Sequence, residues 1–378
     1  MHEFRLPGVT HFGWGAVEKA GEEAARLGRR ALLVTGRSAM KETGVADRVT
    51  KLLLDASVAV VLFTGVESDP RAGTVDRGAA VATAEGCDLV IGLGGGSPMD
   101  AARAIAAMAV LEGSVLDYLR GKPIDRPGLP LMNIATTAGT ASEITPVAVI
   151  LDEGRALKFG VKSPYWFAKV AITDPELTLS MLPALTAATG LDALTHAVES
   201  YLSTGATPPS KALAIRAVAM IGANLPAAYA EGTNRTAREG MAMGSMLAGM
   251  AFANAGLGLV HGLVHPLGAR HGLSHGNACG RLLPYVMRFN LAAVDQELRE
   301  VGGALTGDPA ATAEDAIAAV ERLLQTVNVP RGLADVAIPE ADMPALARDG
   351  LLAGAVRTNP RQVSEEESLA LLEEARRG

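Results

Sequence analysis

The stretch Gly258–Gly276, GLVHGLVHPLGARHGLSHG, carries four of the chain's seven histidines: His261, His265, His271 and His275. His261 and His265 are four apart, so on a helix they share one face, a turn apart. His275 follows ten residues later, past Gly268 and Gly272, which let the chain turn back. A fifth histidine, His196, stands four after Asp192 in Asp192-Ala-Leu-Thr-His196, a second pair at helical spacing. Brought together, the two segments would set Asp192, His196, His261 and His275 around one divalent cation. Three imidazoles and a carboxylate suit zinc or iron(II), and four protein ligands leave room for a substrate oxygen. A single histidine on an apolar helix is more often a core or surface residue. Five of seven in two compact segments, one paired with a carboxylate, weigh towards a metal.

A second constellation is made of glycines and hydroxyls. After the apolar run Asp88–Leu93 comes Gly94-Gly95-Gly96-Ser97-Pro98-Met99-Asp100. Three glycines let backbone approach a ligand closely, and Pro98 suits the first turn of a helix whose free N–H groups favour an anion. The obvious occupant is a pyrophosphate, although the pattern is not GxGxxG. A polar segment, Thr136-Thr137-Ala138-Gly139-Thr140-Ala141-Ser142-Glu143, offers hydroxyls to the same ligand; its bland alternative is a solvated loop of turn-forming residues. Lys158 is placed to reach a ribose or phosphate, with an exposed lysine as the plain alternative. Two such loops favour a dinucleotide over a lone phosphate.

The elements that must hold these residues follow from hydrophobic periodicity. Short apolar runs at Arg30–Thr35, Val58–Thr64 and Asp88–Leu93 read as buried strands, each followed by a turn and an amphipathic segment. Leu129–Ala135, Val147–Leu151 and Val170–Thr173 read as further strands. The alternation predicts a parallel sheet covered on both faces. Beyond Leu182-Pro183 the strands stop. Helices are predicted over Thr186–Leu202, Pro209–Tyr229, Thr236–Ala253, Gly258–Gly268, Asn277–Phe289 and Thr312–Thr326. Thr312 with Asp315, and Ser364 with Glu367, have capping-box spacing. The fold class is therefore an α/β dinucleotide-binding domain with a parallel sheet, residues 1–182, followed by an all-helical metal-binding domain, residues 183–378.

Composition excludes other classes. The 378 residues carry 34 Lys and Arg against 41 Asp and Glu, a net charge of −7 without a basic cluster, which gives no footprint for nucleic acid. Cys87 and Cys279 are the only cysteines and form no CxxC, so neither a disulfide framework nor a thiolate metal site is expected. The start MHEFRLPGVT lacks a signal-peptide apolar run, and no window approaches the roughly 18 consecutive apolar residues of a membrane span. A cytoplasmic protein with no membrane partner is expected.

The motifs taken in order resemble the iron-containing (group III) alcohol dehydrogenase family, over nearly the whole chain. The resemblance rests on Gly94-Gly95-Gly96-Ser97-x-x-Asp100, Thr136-Thr137-Ala138-Gly139-Thr140-x-Ser142-Glu143 and Asp174-Pro175-x-Leu177-Thr178. It continues through Asp192-Ala193-x-x-His196-Ala197-x-Glu199, His261-x-x-x-His265-Pro266-Leu267-Gly268, His275-Gly276 and Asn359-Pro360-Arg361. It implies a dehydroquinate synthase-like architecture, with Asp192, His196, His261 and His275 as metal ligands, iron(II) favoured and zinc possible. It places His265 beside the substrate rather than on the metal. Gly94, Gly95, Gly96, Ser97, Asp100, Thr136, Thr137, Thr140, Ser142 and Lys158 match cofactor-contacting positions. Three positions depart from the family pattern: Arg103 for a lysine, Ala141 for a glycine and Ala168 for a proline. His271 fits no ligand position and is read as a pocket-wall or surface residue.

These residues imply hydride transfer between a nicotinamide and a primary alcohol or its aldehyde, with the cation polarising the substrate oxygen. His265 is the nearest titratable candidate to relay the proton. Val147, Phe252 and Leu257 are candidates to line an apolar pocket for a simple alcohol. The alternatives are a glycerol- or polyol-type dehydrogenase of the same fold and a non-catalytic nucleotide-binding relative; a sugar-phosphate cyclase is disfavoured, because a phosphorylated substrate needs cations near the metal and only Arg270 qualifies around His261–His275. In the family an aspartate follows the first strand's threonine and repels a 2′-phosphate. Here Thr35 is followed by Gly36, Arg37 and Ser38. Loss of the acid, a nearby positive charge and a helix start favour NADP(H) over NAD(H). The expected partners are a small alcohol or aldehyde and further copies of the chain in a homo-oligomer.

Overall fold

A computed structural model describes residues 3–155 and 157–378. The chain divides into two compact units, one of Arg5–Ser180 and one of Met181–Gly378 with Glu3 and Phe4.

Among the described residues the first unit holds eight strands: β1 Val9–Phe12, β2 Arg30–Gly36, β3 Ala59–Val66, β4 Leu89–Gly94, β5 Leu131–Ala135, β6 Val147–Asp152, β7 Leu157–Lys162 and β8 Val170–Thr173. Its helices are α1 Ala20–Leu27, α2 Ala39–Glu42, α3 Val45–Asp55, α4 Ala72–Ala84, α5 Gly96–Met108 and α6 Val115–Leu119. Six strands form one parallel sheet in the order β1-β8-β5-β4-β2-β3. The central strands bury both faces, so they read as continuous apolar runs while their side chains alternate between two cores. Ala31, Leu33, Leu89, Ile91, Met132 and Ile134 face a cluster closed by α1 and α3. Leu32, Val34, Val90 and Leu131 face the opposite one, closed by α4, α5 and α6.

Two strands escape the periodicity. β1 is four residues long, and β7 pairs antiparallel with β6 in a separate two-stranded sheet. β7 reads LKFGVK, and its two lysines and glycine interrupt the apolar run, which hides it from an apolar-run criterion. The helix expected after Ser38 amounts to the single turn α2, so the anion-attracting helix start assumed there is largely missing.

The second unit contains α7 Pro183–Leu202, α8 Pro208–Ala230, α9 Arg235–Ala255, α10 Leu259–His271, α11 His275–Asn290, α12 Asp295–Thr306, α13 Ala313–Thr326, α14 Met343–Gly350 and α15 Glu365–Arg377. Both capping boxes are formed, at Thr312–Asp315 and Ser364–Glu367. α7 is buried on every side from Gly190 to Leu202, as the central helix of a bundle must be, and packs against α8, α9 and α11. α8 is long and apolar on average, long enough to cross a membrane, but Lys211, Arg216 and Asn224 interrupt it, so it is not the uninterrupted apolar run of a membrane span. It packs against α7, α9 and α12, and 33% of its apolar window is buried.

Candidate metal centre and cofactor loops

The sequence pairs are held on three helices. α7 presents Asp192 and His196 from one face, α10 presents His261 and His265, and His275 is the first residue of α11. Gly276 explains how His275 comes close: a Cβ there would collide with the Ala188 carbonyl and lie 3.3 Å from Asp192 Cβ. Only glycine lets the start of α11 rest on the backbone of α7.

Asp192 is the hub. Its Oδ1 lies 3.8 Å from His196 Nε2, 3.7 Å from His261 Nε2 and 3.6 Å from His275 Nε2. The oxygen is buried and accepts no hydrogen bond, a costly arrangement unless something else satisfies it. Direct hydrogen bonds would be nearly 1 Å shorter. Ligands about 2.1 Å from a tetrahedral cation stand about 3.4 Å apart, close to the spacings seen. The four residues therefore fit a divalent metal. Burial alone would raise the Asp192 carboxyl pKa; the imidazoles of His196, His275 and His261 outweigh it and hold the group below the ordinary carboxylate range. His196 stacks between Phe252, 4.4 Å away, and His261, 4.6 Å away. The His275 side chain is 31% exposed, whereas Asp192, His196 and His261 are at most 6% exposed, so access is on the His275 side.

His265 lies beside this set, its ring centroid 5.5 Å from that of His275, the same separation as between His261 and His275. His271 lies outside it, its Nε2 3.5 Å from Asp342 Oδ2.

Two residues near the centre were not assigned from sequence. Glu199, one turn before the end of α7, accepts a hydrogen bond from His261 Nδ1 at 2.6 Å and from the Val260 N–H at 2.7 Å. With Nδ1 donating to the carboxylate, Nε2 keeps its lone pair for a metal. The spacing signal was available: Glu199 stands seven after Asp192, two turns along the same face. The other is Cys279, whose Sγ is 3.9 Å from His261 Nε2, although no thiolate was expected near a metal. Burial pushes its thiol pKa up to about 12.

In the first unit the two polar loops abut. Gly95 caps α5, and Gly96, Ser97 and Pro98 form its first turn, as an anion site at a helix N-terminus requires. A Cβ on Gly96 would stand 2.9 Å from Thr140 Cγ2, and one on Gly95 would stand 3.4 Å from Thr137 Oγ1. The Thr136 N–H donates to Gly94 O at 2.9 Å. Gly94, Gly95, Gly96, Ser97, Thr136, Thr137 and Thr140 are thus gathered in one place.

Asp100 and Ser142 are committed elsewhere. Asp100 Oδ1 accepts from Ser142 Oγ at 2.6 Å and from Arg103 at 3.0 Å, while Oδ2 accepts from the Val149 N–H at 2.9 Å. Arg103 is fully buried and also donates to the carbonyls of Ser142, Val147 and Trp166. Its planar fork of five donors ties α5, the threonine loop and β6 together, which a lysine could not do. This differs from the cofactor contacts expected of Asp100 and Ser142: their polar atoms are spent on Arg103 and on backbone. Burial pulls Asp100 and Arg103 towards their neutral forms, and their mutual bond opposes that pull.

Lys158 also differs from expectation. Its Nζ pairs with Asp69 Oδ2 at 2.7 Å and the side chain is nearly buried, while the Asp69 N–H donates to Ser97 Oγ at 3.3 Å. The lysine supports the glycine loop through Asp69. Gly36 ends β2 with Arg37 and Ser38 exposed beyond it. Ala141 adopts φ 49, a left-handed conformation that explains why glycine suits that position.

A glycine-loop parallel α/β unit and a helical unit with a three-histidine, one-aspartate centre define a metal-dependent oxidoreductase of the dinucleotide-using kind. A family model for iron-containing alcohol dehydrogenase matches residues 7–175, and one for the C-terminal part of the Fe-containing alcohol dehydrogenase family matches residues 186–376. The 1,3-propanediol dehydrogenase of Klebsiella pneumoniae is 40% identical, over 99% of this chain and 99% of its own. The NAD-dependent methanol dehydrogenase of Bacillus methanolicus is 36% identical over 99% of this chain and 100% of its own. A crystal structure of a 1,3-propanediol oxidoreductase superposes with a TM-score of 0.95 at 39% identity, covering 99% of this chain and 100% of that one. The chain belongs to the iron-containing alcohol dehydrogenase family. It is a metal-dependent, nicotinamide-linked enzyme that interconverts alcohols and aldehydes.

Proposed function

We propose that the chain oxidises short and medium primary alcohols, and reduces the matching aldehydes, with Asp192, His196, His261 and His275 holding one divalent cation, iron(II) by preference. The observation that carries this reading is the buried, hydrogen-bond-free Asp192 Oδ1 ringed by three Nε2 atoms at 3.6–3.8 Å. A bound cation supplies Lewis-acid polarisation of the substrate oxygen, and the nicotinamide supplies or accepts hydride. Glu199 fixes the tautomer and tilt of His261. The α5 N-terminus with Gly94, Gly95, Gly96 and Ser97 receives the pyrophosphate, and Thr136, Thr137 and Thr140 line its approach. Asp100, Ser142 and Lys158 act behind this surface by holding the two loops. His265 passes the substrate proton onward through a ring nitrogen.

Simple alcohols are favoured over phosphorylated ones for a specific reason. Arg270, the cation nearest in sequence to the histidines, gives its guanidinium to Asp349. Phe252, stacked on His196, supplies an apolar wall, while Val147 belongs to β6 of the other unit. The relatives' substrates, 1,3-propanediol and methanol, head the panel to be tried.

The choice of nicotinamide is a finer proposal. Gly36 and the exposed Arg37 favour acceptance of NADP(H), whereas the methanol dehydrogenase relative is named for NAD. Self-association belongs to the same proposal and is read by sedimentation. The deciding experiment is metal analysis of purified protein, with the alcohol panel assayed after chelation and re-addition of each metal. His261→Ala should lose most bound metal and nearly all turnover while keeping its helical circular dichroism. Full metal occupancy in that variant would remove the site.

A further inference from the structure

The centre has more donors than the four already described. Cys279 stands one turn after His275 on α11, so both side chains leave the same face of that helix. The ligand atoms of Asp192, His261, His275 and Cys279 all lie within 4.8 Å of one another. A buried cysteine usually serves as a small apolar filler, and this one is fully buried. Two observations separate it from filler. Its sulfur faces His261 Nε2, the nitrogen left with a lone pair because Nδ1 is committed to Glu199. It also shares its surroundings with Asp192 Oδ1, the buried oxygen that accepts no hydrogen bond.

The separation suits a shared cation. Bonds of about 2.1 Å to nitrogen and about 2.3 Å to sulfur allow the two atoms to stand up to about 4.4 Å apart. The observed 3.9 Å lies inside that limit. A direct thiol–imidazole hydrogen bond at that distance would be weak.

We propose that Cys279 Sγ joins Asp192, His261 and His275 as a further donor to the cation of this centre, and that it narrows the preference for iron(II) over zinc. The proposal rests on the metal site of the preceding subsection. On metal entry the Cys279 S–H bond breaks, a sulfur–metal bond forms and the proton passes to solvent; no oxidation state changes. A thiolate is a softer donor than imidazole or carboxylate and favours zinc among the divalent metals at issue. The same donor set without sulfur would be the harder one.

The test uses cobalt(II) alone as a spectroscopic probe in the metal-stripped full-length protein. Wild type should bind one cobalt per chain and show both visible ligand-field bands and an intense near-ultraviolet sulfur-to-cobalt charge-transfer band. Cys279→Ser should bind cobalt, keep the visible bands and lose the charge-transfer band. In competition, its zinc-over-iron(II) affinity ratio should fall at least tenfold. Cobalt binding by wild type without the charge-transfer band, or an unchanged band in Cys279→Ser, would overturn the role of Cys279 and leave the metal site standing. Failure of wild type to bind cobalt, zinc or iron(II) would overturn both. If Cys279→Ser does not fold, zinc-edge X-ray absorption of wild type decides: a sulfur neighbour at about 2.3 Å supports the proposal, and nitrogen and oxygen neighbours alone refute it.

Discussion

Glu199 Oε2 lies 2.6 Å from His261 Nδ1, and the other oxygen of the same carboxylate accepts the Val260 N–H. One buried side chain thereby fixes both the ring and the first turn of the helix that carries it. Carboxylates behind a metal-binding imidazole typically contribute 10–100-fold in metal affinity. Glu199→Gln keeps the size and an acceptor for Val260 but removes the charge. Metal affinity should fall by about that factor, read by titration of the metal-stripped protein. An unchanged affinity would show that His261 is oriented by packing alone.

His265→Asn should retain the metal, slow turnover and alter the pH profile of kcat/KM. The reason is position: His265 shares the α10 face with His261, and its ring centroid lies 5.5 Å from that of His275. Loss of metal in this variant would place His265 among the donors.

Glu143 gives a pH-dependent stability. Burial raises its carboxyl from an ordinary 4.5 to about 7, against the opposing hydrogen bond from Thr173. Between those values the folded chain binds a proton that the unfolded chain has released, so stability falls as pH rises from about 4.5 to about 7. The loss amounts to about 3 kcal/mol at most. In Glu143→Gln this fall should vanish, leaving the variant relatively more stable than wild type at pH 8 than at pH 5. Denaturant titrations at the two pH values measure the difference, and parallel curves for both proteins would refute it.

Gly36→Asp tests the choice of nicotinamide. A Cβ at Gly36 would meet only the Val66 carbonyl oxygen, at 3.8 Å, so the side chain fits. Its carboxylate would repel a 2′-phosphate. The ratio of kcat/KM for NADPH to that for NADH should drop about tenfold or more relative to wild type. A wild type that prefers NADH, with a ratio untouched by the substitution, would show that this turn does not read the 2′ position.

The sequence by itself determined the order of the parts. Apolar runs of strand length made the parallel sheet legible because both faces of a buried strand must be apolar. Spacing by four put Asp192 with His196, and His261 with His265, on common helix faces. The glycines before α5 announced a close backbone approach. Local patterns of this kind survive because they depend on neighbours along the chain.

What depends on neighbours in space was decided only by the tertiary structure. Asp100, Ser142 and Lys158 look like ligand contacts in a motif, yet Arg103 and Asp69 claim their polar atoms. β7 is visible only beside β6, because Lys158, Gly160 and Lys162 break its apolar run. His265 and His261 are equivalent in spacing, and only the tertiary packing sets His261 Nε2 3.7 Å from Asp192 Oδ1. Cys279 carries no motif at all; the same packing brings its sulfur beside His261. A side chain's partner is fixed by where helices cross, and crossing geometry is set by the summed packing of distant residues rather than by any spacing along one of them.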